Sequence, residues 1–284
     1  MVKKIAQQVA DVYPENVRLV DVHAHLCHED FISDMDDLMD KMLQSSIRHV
    51  VVNGLEPRSN RVTLELATKY PDMIRPAMGI YPVHAVNHLL NHTDPLRIED
   101  FDLQKAIGAI EDGAASGHIV AVGECGLDGY WFKDREELLA PQEKVFSELV
   151  SIATHYDIPV IIHSRKREKR VLEMLSELKA KRVIMHCYMG NVKAALQAAT
   201  DHGWCFSIPA ISQRHHGFAK MLAQLPEMCI LTETDSPYLS FTKGERSDPR
   251  QVMHVISHLA TIREISFEAA ATLVWKNYCS VFDL

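Results

Sequence analysis

The sequence predicts a single-domain (β/α)8 TIM barrel with a short N-terminal helical extension and a C-terminal closing helix. Three observations carry this. Eight short β-rich runs alternate with segments of helical length through most of the 284 residues, the pattern of a parallel sheet covered by helices. The length suits that fold, which needs about 250 residues. Several of the apolar runs end in His, Glu or Asp, where the carboxyl rim of a barrel would lie.

In chain order, residues 1–18 form the extension, where Ile5, Val9 and Val12 at helical spacing predict a short helix. The barrel then occupies 19–284. Its strands are predicted at 19–26, 49–53, 74–79, 119–124, 159–163, 182–186, 204–208 and 229–233. Apolar residues three to four apart on otherwise polar segments predict outer helices at 35–46, 59–70, 142–155, 169–178, 192–200 and 216–225. A closing helix at 266–282 starts with Ser266 as its N-cap and Glu268 in its first turn. Residues 81–101, rich in His, Asn and Pro, read as an irregular loop on the catalytic face and a candidate lid. An open doubly wound sheet ranks second, because no Gly-rich phosphate turn follows the first strand.

With 38 acidic against 30 basic residues, the formal charge of −8 argues against a protein that coats nucleic acid by bulk charge. Any phosphate substrate must be met locally. The six cysteines form no C-x-x-C pair, so neither a disulfide framework nor a zinc ribbon is indicated. No apolar run approaches the roughly 18 residues of a membrane helix, so the expected setting is the cytosol, away from membranes.

Asp21, His23 and His25 alternate in the run 19–26, which puts them on one face of an extended strand. Taken alone, a pair of nearby imidazoles is weak evidence for a metal. The rim supplies more: Glu124 on the fourth strand, His163 on the fifth, His186 on the sixth and Asp235 on the eighth. Singly, each reads as a strand end or a hydrogen-bonded core histidine. All six gathered at one rim match the supply needed by two divalent ions about 3.5–4 Å apart with a bridging carboxylate. By strand alternation, Cys125 and Cys187 point the other way and pack between barrel and helices.

In order along the chain stand Asp21-Val-His23-Ala-His25, Gly123-Glu124-Cys-Gly126-Leu-Asp128, His163-Ser-Arg165, His186-Cys-Tyr188-Met-Gly190, Glu233-Thr-Asp235-Ser-Pro237-Tyr-Leu239, Arg246-Ser-Asp-Pro249, and finally Asn277 and Phe282. This ordered set resembles the TatD-like deoxyribonucleases of the metal-dependent amidohydrolase superfamily. The resemblance implies a barrel with a divalent metal centre that hydrolyses phosphodiesters in DNA. It places His23 and His25 on one ion and His163 and His186 on the other, with Glu124 as the bridge. Asp235 would ligate the first ion and take the proton of the attacking water, making Asp235 and Glu124 the catalytic carboxylates. Asp21 is a supporting residue behind the ligands.

For substrate, the resemblance offers Arg165 as a phosphate clamp, with Asp128 and Tyr81 beside it. Arg165 opens the run Arg165-Lys166-Arg167-Glu168-Lys169-Arg170. Its first three residues form a local place for a polyanion, and Lys169 and Arg170 a solvated helix face. One motif departs from the family: Gly79-Ile80-Tyr81-Pro82-Val83-His84 stands where members show Gly-x-His-Pro-His. Tyr81 replaces a His that faces the substrate phosphate, and His84 lies one residue beyond the second.

The expected function is therefore a metal-dependent nuclease using two divalent ions (Zn, Mg or Mn) on single-stranded DNA or a strand end. The alternatives are a hydrolase of a small phosphoester, amide or lactone, and a metal-binding scaffold without turnover. Sequence leaves the metal, cleavage polarity and oligomeric state open.

Overall fold

The computed structural model describes residues 17–284, so the helix expected within the 1–18 extension lies outside the described residues. Eight strands run in order around one parallel sheet: β1 (Leu19–Ala24), β2 (Ile47–Asn53), β3 (Ile74–Met78), β4 (Ala121–Asp128), β5 (Val160–Arg165), β6 (Val183–His186), β7 (Cys205–Pro209) and β8 (Ile230–Glu233). The run Val50-Val51-Val52 is wholly buried, as expected of a strand covered on both faces.

The last strand returns to the first through a seam. Thr232 Oγ1 donates to the Val20 carbonyl at 2.7 Å. Nearer the rim, the Asp235 N–H donates to His23 O at 2.9 Å and the His25 N–H to Ser236 O at 2.7 Å. The sheet thus closes into the expected barrel, and the same backbone bonds fix Asp235 against the two histidines of β1.

The outer helices follow the apolar stripes. Met35–Leu43 buries Leu38, Met39 and Met42. Pro57–Lys69 begins at a capping box, with Glu56 accepting from Ser59 N at 2.7 Å and Ser59 Oγ accepting from Glu56 N at 3.1 Å. Ser266 caps the closing helix Phe267–Phe282 by accepting from Ala269 N at 3.1 Å. No helix of the described residues is long and apolar enough to cross a membrane.

Two helices went unpredicted. Leu103–Ala115 buries Ala106, Ile107, Ile110, Gly113 and Ala114 on one face. Val252–Arg263 buries Val252, Met253, Val255, Ile256, Leu259 and Ala260 and turns His254, Ser257, His258 and Thr261 outward. β4 also runs four residues past its predicted end, so Glu124 sits mid-strand.

The stretch 81–101 is a packed wall rather than an open lid. It holds a short helix, Pro82–Ala85, and a one-turn helix, Asn87–Leu89. Val83, Val86 and Leu90 form a small second core with Phe132 and Leu138. Val83, at the second His position of the family motif, is spent on this packing.

Asn277 ties the closing helix to the base of β8: its Nδ2 donates to Glu227 O at 2.6 Å and to Ile230 O at 2.8 Å. Asn277→Ala strands two carbonyls beneath the helix and should cost about 1–3 kcal/mol. Urea unfolding checks this; an unchanged midpoint would remove the clamp.

Candidate metal centre

All six predicted donors converge at the carboxyl rim of the barrel, and the strands explain how each is aimed. His23 lies on β1 and His25 just past its end, with their Nε2 atoms 3.2 Å apart. Glu124 enters from β4 at a shift in the β4/β5 register between Val122 and Cys125. Glycines make that approach possible: a Cβ on Gly79 would stand 2.5 Å from Glu124 N, and one on Gly126 1.9 Å from His163 O. Asp235 follows β8 in a left-handed conformation with φ of 57°, which turns its carboxylate back over β1.

One group of donor atoms comprises His23 Nε2, His25 Nε2, Glu124 Oε2 and Asp235 Oδ1. Glu124 Oε2 stands 3.3 Å from each Nε2, and Asp235 Oδ1 3.3 Å from His25 and 3.6 Å from His23. Corners of a tetrahedron about 2.1 Å from its centre lie about 3.4 Å apart, so these residues fit a divalent ion. The second group is Glu124, His163 and His186, with His163 Nδ1 2.9 Å from Glu124 Oε1. Glu124 gives one oxygen to each group.

The imidazoles are pre-aimed. His25 Nδ1 faces the Asn53 carbonyl at 2.9 Å, His186 Nδ1 faces Glu233 Oε2 at 2.8 Å, and His163 Nε2 faces Asp128 Oδ2 at 3.0 Å. In the neutral ring, an outer nitrogen donating to oxygen leaves the other nitrogen's lone pair directed inward, the arrangement a metal-ligating histidine needs. The charges agree. Burial would raise the Glu124 carboxyl, but His163, His23 and His25 outweigh it and hold it well below the usual range. Burial would lower His186, but Glu233 and Asp235 lift it to about 9. Burial and the nearby His186 push His23 down to about 4. Ionised carboxylates thus surround a space that calls for positive charge.

Two residues support the cage from behind, of which the sequence assigned only Asp21. Glu233, quoted in a motif without a role, is fully buried and orients His186; it also accepts from Ser207 Oγ. Its signal was a carboxylate closing an apolar run, the same signal that marked Glu124. Asp21 sits below the cage, accepting from His23 N at 3.0 Å, Thr234 N at 3.1 Å and the Thr234 hydroxyl, and so braces the β1/β8 seam.

Asp128 is bound closely into the protein itself. Its Oδ1 accepts from Tyr130 N at 2.8 Å and Trp131 N at 3.1 Å, and its Oδ2 from His163 Nε2 at 3.0 Å and the Tyr81 hydroxyl at 3.1 Å. A carboxylate with these four donors is fully engaged within the protein. Tyr81 accordingly spends its hydroxyl on Asp128 while its ring stands 4.9 Å from His163. His84 fixes its ring by Nδ1 facing the Leu55 carbonyl at 3.1 Å and lines the cavity over the cage.

A cavity of 590 Å³ opens over the cage, with Tyr81, Trp131, Arg165 and Tyr238 among its walls. The Arg165 guanidinium lies 3.6 Å over the Tyr130 ring. The basic run is otherwise less available than expected: Arg167 is paired with Glu136, leaving Arg165 and exposed Lys166 as its local cations. Lys169 is exposed, and Arg170 grips Glu143 with two contacts of 2.8 Å. Cys125 is buried beside β5, as alternation predicts. Cys187 is not governed by alternation, because it follows the end of β6 with φ of 41°; burial together with Glu233 and Asp235 raises its thiol well above the usual range.

A parallel eight-stranded barrel with a His/Glu/Asp cage at its carboxyl rim, the face where barrel enzymes carry their chemistry, is the architecture of a metal-dependent hydrolase. A family model described as TatD related DNase matches residues 20–283, and the chain belongs to that family. It is 28% identical over 271 residues to an uncharacterized metal-dependent hydrolase of Bacillus subtilis, covering 94% of this chain and 99% of that one. It is 28% identical over 267 residues to the human deoxyribonuclease TATDN3, covering 94% and 95%. Among solved structures, a TatD homolog from Escherichia coli shares the fold with a TM-score of 0.80 at 22% identity, covering 94% of this chain and 99% of that one.

Proposed function

We propose that this hydrolase cleaves phosphodiester bonds of DNA, in a single strand or at a strand end, with two divalent cations sharing Glu124. The observation that carries the reading is the doubled donor set, in which Glu124 presents Oε2 to His23 and His25 and Oε1 to His163. His23, His25 and Asp235 would hold one cation, His163 and His186 the other. Imidazole with carboxylate suits Zn²⁺ or Mn²⁺ better than Mg²⁺. When bound, such cations supply Lewis acidity that brings the pKa of an attacking water toward 7.

The chain's own residues do the rest. Asp235, whose carboxyl is kept ionised by His186 and His25 against the effect of burial, accepts the proton of the attacking water. Asp128 and Glu233 keep His163 and His186 from turning. Arg165 is the one Lys or Arg among the described residues lining the cavity, and it receives the phosphate. The Arg165→Ala variant should raise the KM for a DNA strand and flatten the logarithmic salt slope of binding by about 0.7, the share of one single-strand phosphate contact. An unchanged slope would remove Arg165 from the substrate.

The deciding assay is labelled single-stranded DNA with and without chelator and with added Mg²⁺, Mn²⁺ or Zn²⁺. Chelator-sensitive release of nucleotides, lost in Glu124→Ala, is the expected result. The second reading, a small phosphoester, draws on the same lone cavity arginine and on Tyr81 being spent on Asp128. Turnover of such an ester with no DNA cleavage would establish it in place of the first. Inertness toward both, with metal bound, would leave a scaffold.

A further inference from the structure

Among the described residues, three of the Phe, Tyr and Trp side chains are strongly exposed: Tyr130 at 44%, Trp131 at 45% and Tyr238 at 51%. All three stand at the mouth of the barrel. Exposed aromatic surface gathered at one opening marks a binding face rather than a packing accident. Their placement is more telling than their number. Tyr130 and Trp131 follow β4 and meet Arg165 of β5, whereas Tyr238 follows β8 and meets His25 beyond β1. In a sheet ordered β1 to β8 and closed on itself, those two places are four strands apart, on opposite sides of the cage.

Both platforms are anchored to residues that shape the cage. The Tyr238 N–H donates to Asp235 O at 2.8 Å, and its ring lies edge-on to His25 and His28 at 6.4 and 5.7 Å. On the other side, Tyr130 N and Trp131 N donate to Asp128 Oδ1. Arg165 covers one face of Tyr130 at 3.6 Å but stands 5.8 Å from Trp131. Tyr238 also divides the central cavity from a second one of 310 Å³, and lines both. That second cavity offers Ile32, Leu55 and Val62 with the carboxylates of Glu29 and Glu56. Arg58, His28 and His84 line it as well, so its walls are apolar with charges of both signs.

We infer that a single nucleic-acid strand crosses the mouth from Trp131 to Tyr238, with the scissile phosphate over the cage and a base stacked on each platform. This rests on the nuclease reading and deepens it. Aromatic platforms accept any base, since each has a π face, so the grip is on strandedness rather than sequence. The smallest good substrate has a base on both sides of the cleaved bond. A paired end must open before it is cut, because a base engaged in a duplex stack cannot also lie on Tyr238.

The test is steady-state hydrolysis of a short DNA strand and of the same strand with its bases removed to leave abasic sugars. For wild type, removing the bases should raise KM by about 5- to 150-fold for each stacked base lost. Tyr238→Leu and Trp131→Leu should raise KM on the normal strand within that range with little change in kcat, and lose much less than wild type when the bases are removed. Tyr238→Phe should behave as wild type. If wild type cleaves both strands with equal KM, the inference fails, and this result needs no variant to fold. If wild type cleaves neither strand, the nuclease reading itself has failed.

Discussion

Glu124→Ala should abolish hydrolysis, lowering kcat/KM by at least about a thousandfold, and should leave the protein with less bound metal. The carboxylate is 4% exposed and is the one group whose two oxygens serve both sets of donors. Without it His163 Nδ1 loses its partner, and His23 and His25 face each other across 3.2 Å with only Asp235 to compensate them. The backbone approach of β4 depends on Gly79, Gly123 and Gly126 rather than on this side chain, so the barrel should persist. Glu124→Gln keeps the volume and one neutral oxygen and should be nearly as inactive. Metal content by elemental analysis, read beside activity, checks the pair. A fully loaded, active alanine variant would contradict the role given to Glu124.

Asp235→Asn should act differently. The amide retains an oxygen where Oδ1 stands near His25 and His23, so metal should remain bound more weakly. It cannot accept a proton at neutral pH. The loss should fall on kcat, by about 10²- to 10⁴-fold, the usual worth of a positioned general base. KM should change little, because Arg165 and the aromatic platforms are untouched. Kinetics at saturating metal separate the two parameters; a kcat within tenfold of wild type would move the proton acceptor elsewhere.

The donors of the cage were legible because strand geometry is simple: period two places His23 opposite Val22, and parallel strands bring their carboxyl ends to one rim. What holds the donors was harder to read. Asp128 looked like a substrate contact because sequence gives its place on the rim but not its four hydrogen-bond donors, two of which come from the next turn of chain. Glu233 went unassigned because its partner His186 is 47 residues away, a pairing set by the sheet order β6-β7-β8. The helices followed the same division. Stripes of large apolar residues announced Met35–Leu43, whereas Leu103–Ala115 packs through Ala106, Gly113 and Ala114 beside two isoleucines, and the polar side of Val252–Arg263 is made of His, Ser and Thr rather than a row of charges. The loop 81–101 read as a lid because its order comes from contacts with Phe132 and Leu138, far along the chain.

The central claim is that two cations share Glu124. Anomalous diffraction at the metal edge, from crystals equilibrated with Mn²⁺ or Zn²⁺, tests it most directly. Two peaks are expected, one beside His23, His25 and Asp235 and one beside His163 and His186, each in contact with a Glu124 oxygen. A single peak at full occupancy, or two peaks that leave Glu124 unligated, would contradict the account.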